Sequence, residues 1–380
     1  MLDLAARVAL RGAGRVEPNP MVGAVLVRGG RVIGIGHHRV YGGLHAEREA
    51  IANCDARGED PRGATLYCTL EPCCHTGKQP PCTEAVIDAG IARVVYARRD
   101  PHEVSGGGHA VLERAGLECE LSGESVCATR LSDPFVARVR EGRPWVIVKW
   151  AQTIDGRIAT RTGESQWISS ARSRARVHRL RGRVDAVLTG LGTVMADDPM
   201  LNARGARVRR IAKRVVIDTD LETPMESKLV RTAGAYPTLI ACSKALVTAD
   251  ICAQRREALE RAGVEILGVP EEGGRLRLEL LLRALSERHG VTNVLVEAGA
   301  GMIGSLFDRD LVDEAVVYVA PMMLGDERAM ASASGRVAPT LAGGCRLELV
   351  RVKRVGDDVE LTYRRRFQDG DAGGQKVSEG

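Results

Sequence analysis

Aromatic rings are nearly missing from this chain: Phe, Trp and Tyr make up 3% of its 380 residues. Val, Leu, Ile and Ala must therefore fill its cores. A basic groove with interleaved aromatics, which a protein uses to hold a single nucleic-acid strand, is not expected. Long apolar runs are missing too. No stretch of ~18 apolar residues occurs, so no membrane span is expected. The opening Met1-Leu2-Asp3-Leu4-Ala5-Ala6-Arg7 has neither the basic start nor the apolar run of a signal peptide. Nor is there a strong charge of one sign. A net charge of +5, with arginines spread widely, does not imply nucleic acid and suits small phosphorylated ligands equally well.

What is present is ordinary for a globular enzyme: 44% hydrophobic and 27% charged residues, over a length that suggests two domains. Of ten cysteines, seven lie before position 130, which points to metal chemistry in a reducing compartment, the cytoplasm, rather than to a disulfide framework.

Those cysteines surround the stretch the chain is organised on. His45-Ala46-Glu47 is followed by Pro72-Cys73-Cys74-His75-Thr76-Gly77-Lys78-Gln79-Pro80-Pro81-Cys82. Zn²⁺ favours sulfur and imidazole, and a catalytic zinc keeps one of four positions open for water. We read His45, Cys73 and Cys82 as ligands. Glu47 would be the shuttle that carries the water's proton to a leaving amine. A structural zinc knot usually takes four protein ligands and has no use for Glu47. Cys74 is left off the metal, because adjacent side chains at a strand end point apart. The short deaminase spacing P-C-x-x-C fails here, since Thr76 stands where its second cysteine would.

The longer loop E-P-C-x-H-x-G-K-x-P-P-C, carried by Glu71, Pro72, Cys73, His75, Gly77, Lys78, Pro80, Pro81 and Cys82, resembles the bifunctional deaminase/reductase family of riboflavin biosynthesis. Cys74 and Gln79 stand where that family has Ser and Thr. Asp100-Pro101-His102-Glu103 departs from its Asp-Pro-Asn-Pro run. By this resemblance, Asn19 and His38 hold the substrate's base, and His75 and Lys78 face its phosphate or ring. The resemblance continues through Lys149, Asp155-Gly156, Gly163-Glu164-Ser165-Gln166-Trp167, Gly192-Thr193, Ala196-Asp197-Asp198-Pro199 and Glu297-Ala298-Gly299.

The order of apolar runs and turns gives an α/β chain. In the first part a helix over 3–11, a hairpin at Gly29-Gly30, a helix over 45–56, strands over 64–69 and 93–97 and a helix from Cys82 to Gly90 argue an α/β/α sandwich. His45 and Glu47 fall in the first turn of one helix. Both ligand cysteines are expected at helix starts, where a thiol's pKa is lowered. One charged helix over 124–141 leads to Gly142-Arg143-Pro144, the expected boundary. That places a deaminase domain at 1–143, a reductase domain at 144–366 and a disordered tail at 367–380. Fragments cut at the boundary are expected to fold separately.

In the second part Gly299-Ala300-Gly301-Met302-Ile303-Gly304 spells G-x-G-x-x-G after a strand and before a helix. The glycines alone leave a dinucleotide turn and a tight structural turn equally open. The resemblance implies a dihydrofolate-reductase-like domain using NADPH. Ala151, Trp167, Thr193, Asp197, Thr219, Gly299, Ala300, Gly301, Met302, Ile303, Gly304 and Ser305 would line the nucleotide, with Asp197 also a proton donor. Lys149, Ser165, Arg181, Leu201, Arg204 and Glu297 would hold the substrate. The partner implied is a small phosphorylated pyrimidine, with no nucleic acid and no membrane; self-association into a homo-oligomer is left open.

Overall fold

The computed structural model describes residues 1–102 and 104–366; Glu103 and the tail expected over 367–380 lie outside the described residues. The chain forms two compact units. One joins Met1–Trp145 to Ala175–Glu297; the other joins Val146–Arg174 to the described residues from Ala298 onward.

The first unit begins with a five-stranded sheet. Gly23–Arg28 and Arg31–His37 form an antiparallel hairpin, turned at Gly29 and Gly30 with φ of 57° and 75°. Thr65–Cys68 pairs antiparallel with Gly23–Arg28, then Arg93–Tyr96 and Glu118–Leu121 add in parallel. Alternation along these strands sends Ala24, Leu26, Leu66, Cys68, Val94 and Tyr96 into one core. There they meet Ala46, Ala50 and Cys54 of the helix Ala46–Ala56, Val86 of Cys82–Asp88 and Leu112 of Gly108–Arg114. Each fully buried Leu of this core contributes roughly 1.5–3 kcal/mol. On the opposite face Val95 and Tyr67 pack with Leu2 and Ala6 of the helix Leu2–Ala9 and with Ala128 of Val126–Arg130. Helices on both faces make the expected α/β/α sandwich.

Close approach sets the height of the helix that carries the motif. A Cβ on Gly36 would lie 2.2 Å from Ala46 O, and one on Gly34 would lie 2.4 Å from Ala50 O. Small residues on both sides therefore bring the helix start, and His45 with it, down onto the sheet.

The single helix expected over 124–141 is two, Val126–Arg130 and Asp133–Glu141. Pro134 has no N–H to donate to a preceding turn, but fits the first turn of a new helix. Asp133 is held there by a buried ion pair, Arg98 Nη1 to Asp133 Oδ1 at 2.6 Å. Gly142, at φ 67°, ends the helix.

The same unit contains five parallel strands in the order Val264–Val269, Thr238–Ser243, Lys213–Ile217, Ala186–Gly190 and Asn293–Val296. Its two parts are bonded to each other. Arg209 Nη1 donates to Arg11 O (3.1 Å) and Ala13 O (2.7 Å), and Arg210 Nη2 donates to Glu17 O (3.2 Å). Arg210 is itself fixed by an ion pair with Asp185.

In the second unit, Trp145–Gln152, whose first residue belongs to the other unit, runs parallel to Glu314–Val319. Asp358–Arg364 and Glu348–Val355 follow antiparallel. Its main helix is Ala300–Asp308. No helix among the described residues is long and apolar enough to cross a membrane.

Candidate functional site

His45 is the N-cap of the helix Ala46–Ala56, in extended backbone just before its first turn, so the expectation that it lies inside that turn is off by one residue. From there its ring meets two thiols: Nδ1 lies 3.5 Å from Cys73 Sγ and 3.3 Å from Cys82 Sγ. One ligand atom from each of His45, Cys73 and Cys82 lies within 4.8 Å of the others. Cys82 opens the helix Cys82–Asp88, as expected. Cys73 does not start a helix. It lies in the loop beyond Thr65–Cys68 and is tied to the other cysteine's helix by Thr83 N donating to Cys73 O (3.2 Å).

Protons are shared unevenly among these groups. A hydrogen bond from Cys82 lowers the Cys73 thiol to about 4. The same bond, with burial, pushes Cys82 up. The bond to Cys73 raises His45. Two soft sulfurs and one imidazole within mutual reach, leaving a fourth direction open, fit a catalytic Zn²⁺, which takes the place of such protons.

Glu47, in the first turn of the helix and 3% exposed, has Oε2 3.4 Å from Cys82 Sγ. Burial is the main cause raising its pKa, which suits a carboxylate that must both accept and return a proton. Cys74 turns away, its Sγ donating to Gly106 O (3.0 Å), and takes no part in the cluster.

A cavity of about 350 Å³ opens on these groups. Asn19, His38, His75 and Lys78 all line it. His38 Nδ1 lies 2.9 Å from Leu44 O, so it is the donor there, and Nε2 accepts from Asn19 Nδ2 at 3.3 Å. Burial lowers its pKa, which keeps this neutral form. Lys78 Nζ stands 4.1 Å over the Tyr41 ring. Several lining residues were given no site role in the sequence reading: Tyr41, Phe135, Arg138 and Ser105, Glu71 of the motif loop, and Asp100 and His102 from the run that departs from the family pattern. Glu71 ties Asp100 to the helix Gly108–Arg114, accepting from Asp100 N (3.1 Å) and His109 N (2.8 Å). Phe135 and Arg138 had one available signal, spacing by three on a charged helix, but nothing local says where that helix docks.

The residues expected to serve reduction fall in both units. In the first, Thr193 and Asp197 lie a turn apart on the helix Leu191–Asp197. Thr219 O accepts from Ser243 N (3.0 Å). Leu201 is buried at φ 49°. Arg181 and Glu297 meet each other: Nε to Oε1 is 2.5 Å and Nη2 to Oε2 2.9 Å. That fork is occupied, whereas Arg204 is exposed and donates Nη1 to Asn202 Oδ1 (2.7 Å).

In the second unit, Lys149 and Ala151 stand on Trp145–Gln152, with Lys149 Nζ 6.0 Å from the Tyr318 ring centre. Ser165 O accepts from Ile168 N (3.3 Å). Trp167 is exposed, with the Arg174 guanidinium 4.3 Å over its ring. Gly299 caps the helix Ala300–Asp308, which contains Gly301, Met302, Ile303, Gly304 and Ser305. The three motif glycines differ. Around Gly299 a Cβ would meet open space, and at Gly301 only Ser334 Oγ at 4.0 Å; at Gly304 it would lie 1.9 Å from Ser334 O. The first two leave the helix start approachable, and the third is required by packing. An open helix start suits the diphosphate of a dinucleotide.

Comparison with known proteins gives matches to both halves. The family model of the RibD C-terminal domain matches residues 144–361, and that of the cytidine and deoxycytidylate deaminase zinc-binding region matches 1–98. The riboflavin biosynthesis protein RibD of Actinobacillus pleuropneumoniae is 36% identical over 94% of this chain and 92% of its own. That of Escherichia coli K12 is 35% identical over 94% and 96%. Among solved structures, Acinetobacter baumannii RibD superposes with a TM-score of 0.80 at 32% identity, over 96% of this chain and 98% of that one. The diaminohydroxyphosphoribosylaminopyrimidine deaminase/5-amino-6-(5-phosphoribosylamino)uracil reductase of Thermotoga maritima gives 0.81 at 33%, over 96% and 97%.

Proposed function

Since the chain belongs to the RibD family of riboflavin biosynthesis proteins, we propose how its residues divide the family's two reactions. It is a bifunctional enzyme of riboflavin biosynthesis, a zinc-dependent pyrimidine deaminase and an NADPH-dependent reductase. Its substrates are small molecules. Deamination of 2,5-diamino-6-(5-phosphoribosylamino)pyrimidin-4(3H)-one comes first. Reduction of the ribosyl group of 5-amino-6-(5-phosphoribosylamino)uracil to ribityl follows.

We assign deamination to residues 1–143 and reduction to 144–366. The observation that carries the first assignment is the His45, Cys73 and Cys82 cluster opening, with Glu47, on one cavity. His45, Cys73 and Cys82 would hold the zinc ion, which would supply a water of lowered pKa. Glu47 takes the proton at its carboxylate and returns it to the departing amine. His38 Nε2 holds the Asn19 amide, and the two together are assigned to the edge of the pyrimidine. Glu47 is itself only 3% exposed, which favours passing its proton to the substrate rather than to bulk water.

For reduction, NADPH supplies the hydride and the protein positions it. The start of the helix Ala300–Asp308, with Gly299 and Gly301, is assigned to the diphosphate. Ala151, Trp167, Thr193 and Thr219 are assigned to the rest of the nucleotide. Lys149, Ser165, Leu201 and Arg204 hold the phosphorylated substrate; the Arg181–Glu297 pair orients it through Glu297. Asp197 delivers the proton.

The test is an incubation of the purified, zinc-loaded chain with the diaminopyrimidinone. Without NADPH, ammonia and the phosphoribosylaminouracil should accumulate; with NADPH, the ribityl product should appear. A chain that releases no ammonia is not this enzyme.

A further inference from the structure

Of the residues lining the deaminase cavity, two are permanent cations, Lys78 and Arg138. Lys78 is exposed on a loop and leans on Tyr41. Arg138 is half-buried on the helix Asp133–Glu141, whose start is pinned by the Arg98–Asp133 pair and whose end is stopped by Gly142. Its one protein partner among the described residues is a carbonyl, Nη1 to Pro18 O at 3.3 Å, and no carboxylate is paired with it. A guanidinium has five donors in a fixed fork. One long bond to a carbonyl leaves that fork able to take an anion from the cavity. Phe135, one turn earlier, gives the same wall an apolar surface. The helix lies beyond residues 1–98, where the general deaminase region matches, so this wall is added to that region.

We infer that Arg138 binds the phosphate of the deaminase substrate and so selects a phosphorylated ribosylaminopyrimidine over its dephosphorylated form. A phosphate monoester carries a charge of about −1.5 to −2 at neutral pH and accepts two parallel N–H bonds from one guanidinium. Burial lowers the arginine's pKa, as expected of a cation kept from water without a carboxylate beside it. The inference rests on the assignment of the cavity to deamination, and the experiment separates the two.

Ammonia release is measured for the wild-type chain, Arg138→Gln and Arg138→Lys, on the phosphorylated substrate and on the same compound stripped of phosphate. Folding is checked by circular dichroism and zinc content. Arg138→Gln should raise KM for the phosphorylated substrate roughly 10- to 100-fold with kcat nearly unchanged, the loss of a charge-assisted hydrogen bond. It should leave kcat/KM for the stripped substrate as in wild type. Arg138→Lys, which keeps the charge but not the fork, should lie between. If Arg138→Gln does not fold, the lysine variant decides: an unchanged ratio between the two substrates overturns the inference. Equal losses on both substrates would mean that the side chain only holds the Pro18 carbonyl, and would overturn it too. A wild-type chain inactive on both substrates sinks the deaminase assignment itself, and this inference with it.

Discussion

At the scale of single residues, chemistry was legible wherever residue type alone decides it. Imidazole, thiols and a carboxylate in one motif name a zinc deaminase, and the side chains of His45, Cys73 and Cys82 do converge. We expect His45→Ala, Cys73→Ala and Cys82→Ala to lose zinc. Glu47→Gln should keep about one zinc per chain while ammonia release falls roughly 10²- to 10⁴-fold, the usual worth of a positioned general base. Metal analysis beside the ammonia assay checks this; zinc lost from Glu47→Gln but kept in Cys82→Ala would overturn the ligand set. Proton positions were not legible. A helix start lowers a thiol's pKa, but Cys82 keeps its proton in a hydrogen bond to Cys73 and has Glu47 against it, and a partner 9 residues away in sequence is invisible to a local rule. Arg181 and Glu297, assigned separately, meet for the same reason: their pairing depends on a fold that joins positions 116 apart.

At the scale of elements, strands and helices followed from apolar spacing and turn residues, and errors came where a break needs tertiary support. The helix expected over 124–141 splits at Ser132-Asp133-Pro134, where Arg98 anchors Asp133. The glycine motif was ambiguous because its members do different things. Gly304→Ala should cost about 1–3 kcal/mol, since a methyl 1.9 Å from Ser334 O forces backbone apart. Gly301→Ala should leave Tm close to wild type and raise KM for NADPH, because its methyl meets open space. Thermal scans with cofactor kinetics separate the two; equal destabilisation would remove the distinction.

Another element-scale outcome concerns the turn at Asp155. Its carboxyl is held down to about 2 by the Thr153 hydroxyl, with help from the Gly325 and Leu324 N–H groups. A depressed folded pKa gives stability that is present above the unfolded value of about 3.9 and lost as pH falls through about 2. The Tm difference between wild type and Asp155→Ala should therefore hold from pH 7 to 5 and close toward pH 2. A difference that does not vary with pH would mean the turn depends on shape alone.

At the scale of the whole molecule, the chain reads as two successive motif sets, yet compactness does not follow that order. Residues 1–145 and 175–297 form one unit, bonded through Arg209 and Arg210 to the segment that leads to Asn19. Sequence order shows which residues belong to each reaction but not which segments hold each other in place. Fragments cut at Gly142-Arg143-Pro144 lose these bonds, so the 1–143 fragment should melt below the intact chain. A preference for NADPH over NADH is expected as well, because a 2′-phosphate needs a cation and this part of the chain is rich in arginine; comparable kcat/KM for both cofactors would contradict it.

The central claim is that one chain holds two chemistries with separate catalytic residues, and Glu47→Ala tests it most directly. With folding verified by circular dichroism, the variant is assayed for ammonia release from the diaminopyrimidinone and for NADPH-dependent reduction of supplied phosphoribosylaminouracil. We predict that ammonia release is abolished while reduction stays near the wild-type rate. A folded Glu47→Ala protein that has lost both activities would contradict the account.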